Sequence, residues 1–245
     1  MRSARILLIV LLMLSPFARS QCTAESATTR PHLIELYSSE GCSSCPPAEK
    51  WLRTLHTGAD VVPLEFHVDY WDSLGWRDRF ADARYTTRQQ SIAGRDGGSM
   101  VYTPQIVLDG HGWAGWYRGG HLQPPTDGAF ALKLMAQPGA KLHVHVDAQP
   151  GSGADATAYR NYVALVEDGL ATQVHAGENN GATLHHDHVV RAFAGPLALT
   201  QADVDLAVPG DADLSRASVV AFAQNPKDGA IAQVVSLSLA QCRTP

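Results

Sequence analysis

The chain has 245 residues, of which 45% are hydrophobic and 18% are charged, and its formal net charge is -5 at pH 7. This composition is ordinary for a globular protein with a core, and the length fits one large or two small domains. The sequence contains no basic run. It therefore lacks the charge signature of a protein that binds nucleic acid or an anionic membrane surface.

The beginning of the chain has the layout of a secretory signal peptide. A positive start (MRSAR) precedes an apolar run over residues 6–18, and small residues stand near the cleavage position. The apolar run is shorter than the ~20 residues that a membrane-spanning helix needs. We expect residues 1–20 to be removed on export, which leaves no membrane span. An uncleaved membrane anchor and a lipid anchor at Cys22 are the alternatives.

Four cysteines remain after such a cleavage: Cys22, Cys42, Cys45 and Cys242. In an oxidising compartment four cysteines are expected to pair, and three connectivities are open to them. The short separation of Cys42 and Cys45 favours a local bond. That bond leaves Cys22 to pair with Cys242, and the ends of a domain often lie close together. The alternative is a disordered chain end with a free thiol.

The first half of the mature chain alternates strands with helices. Residues 32–39 predict a strand, residues 48–56 a helix and residues 61–68 a second strand, which is an α/β pattern. Further along, we predict a helix, a strand, a second strand that closes a hairpin and another helix, at residues 77–90, 102–110, 113–117 and 128–137.

After residue 138 the pattern changes to short strands. Residues 141–147 (KLHVHVD) alternate strictly between apolar and polar side chains, and about seven such segments follow one another, separated by turn residues. This spacing is typical of an antiparallel sandwich. The sequence thus predicts an α/β domain over residues 30–138 and an all-β, immunoglobulin-like sandwich over residues 139–242.

The CxxC segment, Cys42 to Cys45, stands where the first predicted helix begins. A helix N-terminus carries partial positive charge, which lowers the pKa of a nearby thiol. Pro46 and Pro47 suit the first helical turn. We expect Cys42 to be exposed and to attack as the nucleophile, and Cys45 to resolve the mixed disulfide. This chemistry requires no cofactor beyond the redox-active disulfide.

Three other interpretations of the two cysteines stay open. A structural zinc site would need a second pair of ligands, and no second CxxC is present. An inert structural disulfide explains the cysteines but not their surroundings. Cu(I) binding is the remaining alternative, because soft thiolates suit this ion. His67, at the end of the second predicted strand, is the candidate third ligand beside Cys42 and Cys45.

The order of strand, CxxC, helix, strand and then Thr-Pro before an apolar strand resembles the thioredoxin fold. The resemblance implies that Pro104 is a cis-proline that lies against the CxxC and binds the substrate backbone, with Thr103 beside it. Thioredoxins carry a buried acid six residues before the first cysteine, but Leu36 occupies that position here. Glu35, one residue earlier, is the candidate proton carrier, or else a structural acid.

Longer segments resemble a family of exported, thioredoxin-like bacterial proteins catalogued as domain of unknown function 1223. They are ELYSSEGCSSCPPAE (35–49), FHVDYWDSLGWRDRFA (66–81), YTPQIVLDG (102–110) and GENNGATLHHDHVVRAFAG (177–195). The resemblance implies a redox role in the periplasm or outside the cell, with protein or small-molecule thiols and disulfides as partners. It implies no particular substrate and no oligomeric state.

Two further groups of residues are candidates. The aromatic segment 66–76 either shapes substrate access to Cys42 or braces the fold, and we include Trp71, Tyr102 and Thr103 as predicted substrate-binding residues. The histidine-rich segment 185–188 is interpreted as solvated strand faces rather than as a metal site.

Together these observations predict an exported thiol–disulfide oxidoreductase. A copper-binding or copper-delivering protein is one alternative. A non-catalytic binding module with a structural disulfide is the other.

Overall fold

The computed structural model describes residues 21–55, 58 and 60–242. The predicted signal peptide lies outside these residues. The strands are β1 (Cys22–Glu25), β2 (Thr29–Arg30), β3 (His32–Ser38), β4 (Val61–His67), β5 (Gln105–Leu108), β6 (His111–Gly112), β7 (Thr126–Asp127), β8 (Phe130–Gln137), β9 (Leu142–Pro150), β10 (Arg160–Glu167), β11 (Leu170–Gln173), β12 (Thr183–His186), β13 (Val189–Leu197), β14 (Ala202–Leu206), β15 (Ala217–Gln224) and β16 (Ile231–Ser238). The α-helices are α1 (Pro46–Arg53) and α2 (Ala83–Arg95).

One eight-stranded sheet runs through the molecule in the order β16-β15-β10-β13-β4-β3-β5-β6. Strand β4 is parallel to β3 and to β13, and the other neighbours are antiparallel. Strands β3 and β4 are buried along their whole length, as expected for strands covered on both faces. These two strands carry some of the residues of the candidate site.

The two helices lie on opposite faces of this sheet. Ile34 and Leu36 of β3 pack with Ala48 and Leu52 of α1. The alternate residues of β3 point the other way and pack in the cluster that includes Ile92 of α2. Helix α2 begins at a capping aspartate, Asp82, whose carboxylate accepts a hydrogen bond from the Arg84 N–H. The predicted helix 77–90 therefore exists, but it starts later than its pattern suggested.

A second sheet of four antiparallel strands, in the order β1-β8-β9-β14, packs against one end of the large sheet. The inward side chains of β8 and β9 meet those of β10 and β15 in the largest core cluster. The seven strand segments predicted after residue 138 are all strands, as β9, β10, β11, β13, β14, β15 and β16.

A disulfide joins the first strand to the last turn of the described chain. Cys22 is bonded to Cys242, with their Cα atoms 5.0 Å apart, across a separation of 220 residues. The predicted pairing of these two cysteines is confirmed. A cross-link over so long a loop restricts the unfolded chain strongly and so stabilises the folded one.

The predicted fold class, an α/β thioredoxin-like domain followed by an immunoglobulin-like sandwich, is wrong. The described residues contain sixteen strands and only two α-helices. Strands from both sides of residue 138 share both main sheets, since β4 pairs with β13 and β8 pairs with β9. The molecule is mostly β, with large multi-stranded sheets.

The predicted helix at residues 128–137 shows why the error arose. This segment is strand β8, in which Phe130, Leu132 and Leu134 are buried and the residues between them are exposed. Apolar residues two positions apart mark one face of a strand, and the helix prediction gives this spacing too little weight. No helix within the described part of the chain is both long enough and apolar enough to cross a membrane.

Candidate functional site

A disulfide lies at the N-terminus of α1. Cys42 and Cys45 are bonded, with their Cα atoms 5.5 Å apart, which confirms the predicted local pairing. Cys45 is the residue that caps α1, and Pro46 and Pro47 follow in the first turn. Because proline has no N–H, the first turn leaves fewer backbone donors without a partner than an ordinary helix would.

Both cysteines are completely buried, with 0% of their surface exposed. The expectation that Cys42 stands exposed at the helix end is therefore wrong. Ser43 and Ser44 between the two cysteines are exposed, so the segment reaches the surface while its sulfur atoms do not. A distant part of the chain contacts this segment.

The contacting part is a β-hairpin formed by β11 and β12, with the turn 174–182 between them. We call it the covering hairpin, because its turn contacts residues 40–43. The Glu178 carboxylate accepts hydrogen bonds from the Ser43 N–H (3.0 Å) and the Ser43 hydroxyl (2.7 Å). These bonds lower the pKa of Glu178. The Asn179 amide donates to the carbonyl oxygens of Glu40 (2.9 Å) and Cys42 (3.1 Å). Four hydrogen bonds thus connect the hairpin turn with residues 40–43.

The Thr103–Pro104 peptide bond is cis, as the sequence resemblance implied for Pro104. The Trp71 indole N–H donates to the Thr103 hydroxyl at 2.8 Å. Trp71 also lies close beside Gly41, where an added Cβ would be 3.2 Å from the Trp71 Cβ. Trp71 therefore connects the approach to the CxxC with the Thr103–Pro104 segment, and Tyr102 next to it is 58% exposed. The substrate-binding roles of these residues stay predictions.

Glu35, the candidate proton carrier, lies on the α2 face of the sheet, opposite α1. Its carboxylate forms a two-point ion pair with Arg88, at 2.7 and 2.8 Å, and accepts a hydrogen bond from the Tyr37 hydroxyl at 2.9 Å. Burial works against the charged form of Arg88, but Glu35 outweighs it and raises the pKa of the guanidinium. Glu35 is thus a paired structural acid, and its position gives a proton-carrier role no support.

Beneath the CxxC segment lies a group of fully buried polar side chains, which we call the buried polar cluster. It contains four carboxylates and two histidines: Glu40, Glu49, Glu65, Asp78, His67 and His186. Strand β4 supplies Glu65 and His67, helix α1 supplies Glu49, and the covering hairpin supplies His186. The cluster therefore brings together β4, α1 and the covering hairpin.

His67 is hydrogen-bonded through both ring nitrogens. Its Nδ1 lies 2.6 Å from Asp78 Oδ2, and its Nε2 lies 3.0 Å from Glu65 Oε1. Burial alone would lower the pKa of His67, but the charges of Asp78 and Glu65 raise it to about 10. In the same way burial would raise the pKa of Glu65, and the two histidines lower it to about 2.

The contacts of His186 with carboxylates are longer than those of His67. Its Nδ1 lies 3.3 Å from Glu49 Oε2 and 3.5 Å from Glu65 Oε1, and its Nε2 lies 3.6 Å from Glu40 Oε1. Neither nitrogen makes a hydrogen bond of normal geometry. Burial opposes protonation of His186, and the surrounding carboxylates raise its pKa to about 12.

The interpretation of segment 185–188 as solvated strand faces is wrong for His186, which is 0% exposed. His185 points outward and is exposed. The signal that was missed is Leu184, since residues two apart on a strand share a face and an apolar Leu184 places His186 inside. Among the described residues, His67 lies in a group with Glu65 and His186, and the copper set of Cys42, Cys45 and His67 stays an untested alternative.

Two solved structures are similar in fold. One is the X-ray crystal structure of protein AGR_C_4864 from Agrobacterium tumefaciens, with a TM-score of 0.59, 23% sequence identity, and coverage of 90% of this chain and 98% of that chain. The other is HBP35 of Porphyromonas gingivalis, with a TM-score of 0.60, 12% identity, and coverage of 87% and 76% respectively. At these identities the likeness establishes the fold alone.

The sequence comparisons give a family but no activity. None of the curated proteins matches the sequence. The model of the family described as protein of unknown function (DUF1223) matches residues 33–224, which include the CxxC segment, the Thr103–Pro104 bond and the covering hairpin. The chain therefore belongs to the DUF1223 family, as the motifs around the two cysteines indicated.

Proposed function

We propose that the protein is an exported thiol–disulfide oxidoreductase whose reacting group is the Cys42–Cys45 disulfide. The observation that carries the proposal is the position of this bond at the N-terminus of α1, with Cys45 as the capping residue. A thiolate formed there is stabilised by the positive end of the helix, and a stabilised thiolate is a good leaving group.

The proposed exchange proceeds in two balanced steps. A thiolate of a dithiol substrate attacks Cys42 Sγ, the Cys42–Cys45 bond breaks, and Cys45 leaves as a thiolate. The second substrate thiolate then attacks the substrate sulfur of the mixed disulfide and releases Cys42 as a thiolate. The substrate is oxidised to a disulfide and the protein is reduced to a dithiol, and the reverse sequence reduces a substrate disulfide.

Access to Cys42 requires the covering hairpin to move. The sulfur atoms are fully buried, but Glu178 and Asn179 of the hairpin turn make three hydrogen bonds to the CxxC segment and one to Glu40 before it. Polar contacts at a surface are readily exchanged for contacts with water, so the turn belongs to the kind of segment that opens locally. Trp71 and Tyr102 would then border the exposed disulfide and receive the substrate chain.

The two disulfides fit an oxidising compartment. Together with the signal-like start of the sequence, they favour a periplasmic or secreted location in a bacterium. Protein or small-molecule thiols are the partners that such a location and such a disulfide would serve.

A structural disulfide within a binding module is the second candidate function. The complete burial of both cysteines favours it, because structural disulfides are protected from attack. The two candidates differ in whether Cys42 reacts at all.

The experiment compares exchange with oxidised glutathione for the reduced wild-type protein and the Cys42→Ser variant. We expect Cys42→Ser to reduce the exchange rate to the uncatalysed background, because the variant lacks the proposed nucleophile and cannot re-form the Cys42–Cys45 bond. A Cys22→Ser/Cys242→Ser variant is the matched control and should retain the wild-type rate. Retention of exchange by Cys42→Ser would refute the proposal.

A further inference from the structure

We propose that the buried polar cluster binds one divalent transition-metal ion of the zinc type, ligated by Glu65, His67 and His186. These three side chains each offer one ligand atom, and the three atoms lie within 4.8 Å of one another. All three residues are buried. Two imidazoles and one carboxylate are a donor set that zinc uses in proteins.

Two of the three spacings between the ligand atoms are close to those around a tetrahedral ion, and the third is below 4.8 Å. Ligand atoms about 2.0–2.2 Å from zinc are separated by about 3.3–3.6 Å at the tetrahedral angle. Glu65 Oε1 lies 3.0 Å from His67 Nε2 and 3.5 Å from His186 Nδ1. Glu49 Oε2, 3.3 Å from His186 Nδ1, is the nearest carboxylate for a fourth position.

The unsatisfied nitrogens of His186 are the second, independent observation. His186 is 0% exposed, and neither ring nitrogen makes a hydrogen bond of normal geometry. Buried polar atoms almost always have a partner, so two unsatisfied nitrogens on one buried ring call for an explanation. A metal ion on Nδ1 supplies one, and it leaves Nε2–H to face Glu40 Oε1, which also lacks a hydrogen bond.

The residues around the three ligands are placed to hydrogen-bond to them, as the outer partners in a metal site do. Ligating histidines usually donate their other N–H to a carboxylate, which fixes the ring and the proton position. Asp78 Oδ2 lies 2.6 Å from His67 Nδ1, which leaves His67 Nε2 for the metal. Glu40 is held in turn by the Trp76 indole N–H at 2.8 Å, and Glu49 by the Ser38 hydroxyl at 2.6 Å.

A metal at this position would connect two parts of the chain. Glu65 and His67 belong to β4 in the central sheet, and His186 is the last residue of β12 in the covering hairpin. The ion would therefore fasten the hairpin to the sheet beneath the CxxC segment. This site is separate from the copper set considered at first, since it uses no thiolate.

The test uses the exported protein in its oxidised form, stripped with a chelator and titrated with Zn²⁺ and with Co²⁺ at neutral pH. We expect one equivalent of each to bind. Bound Co²⁺ should show the visible absorption of a tetrahedral site and lack the thiolate-to-metal absorption that cysteine ligands produce. Failure of the wild-type protein to bind one equivalent, or a thiolate signature, would overturn the proposal.

The Zn²⁺ affinities of variants at the ligand residues and their neighbours test where the metal binds. Asp78→Asn should weaken Zn²⁺ binding by about 10- to 100-fold, the usual effect of losing an outer partner, and His186→Gln and Glu65→Gln should weaken it more. His185→Gln, which changes the exposed neighbour, is the matched control and should bind as the wild type does. Thermal unfolding checks that each variant is folded. If a variant of a ligand residue does not fold, the affinity of Asp78→Asn for Zn²⁺ tests the assignment. Wild-type affinity in Asp78→Asn together with a folded His186→Gln of wild-type affinity would contradict the assignment.

Discussion

Replacement of Arg88 by methionine is expected to lower the free energy of unfolding by about 3–5 kcal/mol. Arg88 and Glu35 form a two-point ion pair in the core, where the Glu35 side chain is 0% and the Arg88 side chain 9% exposed. Removal of the guanidinium leaves the Glu35 carboxylate buried without its counter-charge. The Arg88 guanidinium also lies 5.2–5.3 Å from the ring centres of Tyr162, Phe193 and Phe222, so favourable cation–aromatic contacts are lost as well.

Chemical denaturation of Arg88→Met and of Glu35→Leu/Arg88→Met checks this prediction. The double variant should recover most of the lost stability, because it removes both charges instead of leaving one unpaired. Glu35→Gln should leave the rate of thiol exchange unchanged while it lowers stability, since Glu35 lies on the sheet face opposite α1. A double variant no more stable than Arg88→Met would show that the ion pair is not the source of the effect.

Asn179→Ala is expected to accelerate the reduction of the Cys42–Cys45 bond by dithiothreitol about 10- to 100-fold. The Asn179 amide makes two hydrogen bonds that hold the covering hairpin against the CxxC segment. Each such bond contributes roughly 0.5–1.5 kcal/mol, so their loss raises the population of the open hairpin. The reduction rate follows that population when opening and closing are fast.

The rates are compared in a Cys22→Ser/Cys242→Ser background, so that only one disulfide is reduced. Asn180→Ala is the matched control, because the adjacent Asn180 side chain is exposed and makes neither of these contacts. It should be reduced at the rate of the background protein. Equal rates for Asn179→Ala and Asn180→Ala would mean that the hairpin does not limit access to the sulfur atoms.

Local patterns in the sequence predicted many individual elements correctly. The fully buried strands β3 and β4, the helix after the CxxC and the alternating strands after residue 138 all exist. Both disulfides follow from cysteine spacing and from the proximity of chain ends. These features depend on short stretches of chain, which is why a single sequence specifies them.

The arrangement of those elements could not be predicted in the same way. Strand β4 pairs in parallel with β13, so that Glu65 lies opposite Val189, which is far from it in the sequence. The local spacing of apolar residues does not indicate so distant a partner. The error at β8 is of a different kind, because its apolar residues two positions apart were available and were assigned to a helix. The boundary near residue 138 was predicted where the pattern changes to short strands, but strand β8 already lies before it.

The candidate site was predicted only in part, because some of its contacts join residues that are far apart in the sequence. Cys42, Cys45 and Pro104 carry short-range signals, and the structure places them as a disulfide at a helix end and a cis peptide bond. Glu178 and Asn179 contact residues more than 130 positions away, so their role over the disulfide has no local signature. Glu40 and Glu49 flank the cysteines but become notable only when His186 is placed between them.

The reduction potential of the Cys42–Cys45 pair tests the central claim most directly. It is measured by equilibrating the Cys22→Ser/Cys242→Ser variant in glutathione buffers and trapping the thiols. A thiol–disulfide oxidoreductase should give a value between about -120 and -270 mV, the range of working redox proteins. A value below about -300 mV would contradict the proposal and assign the bond a structural role.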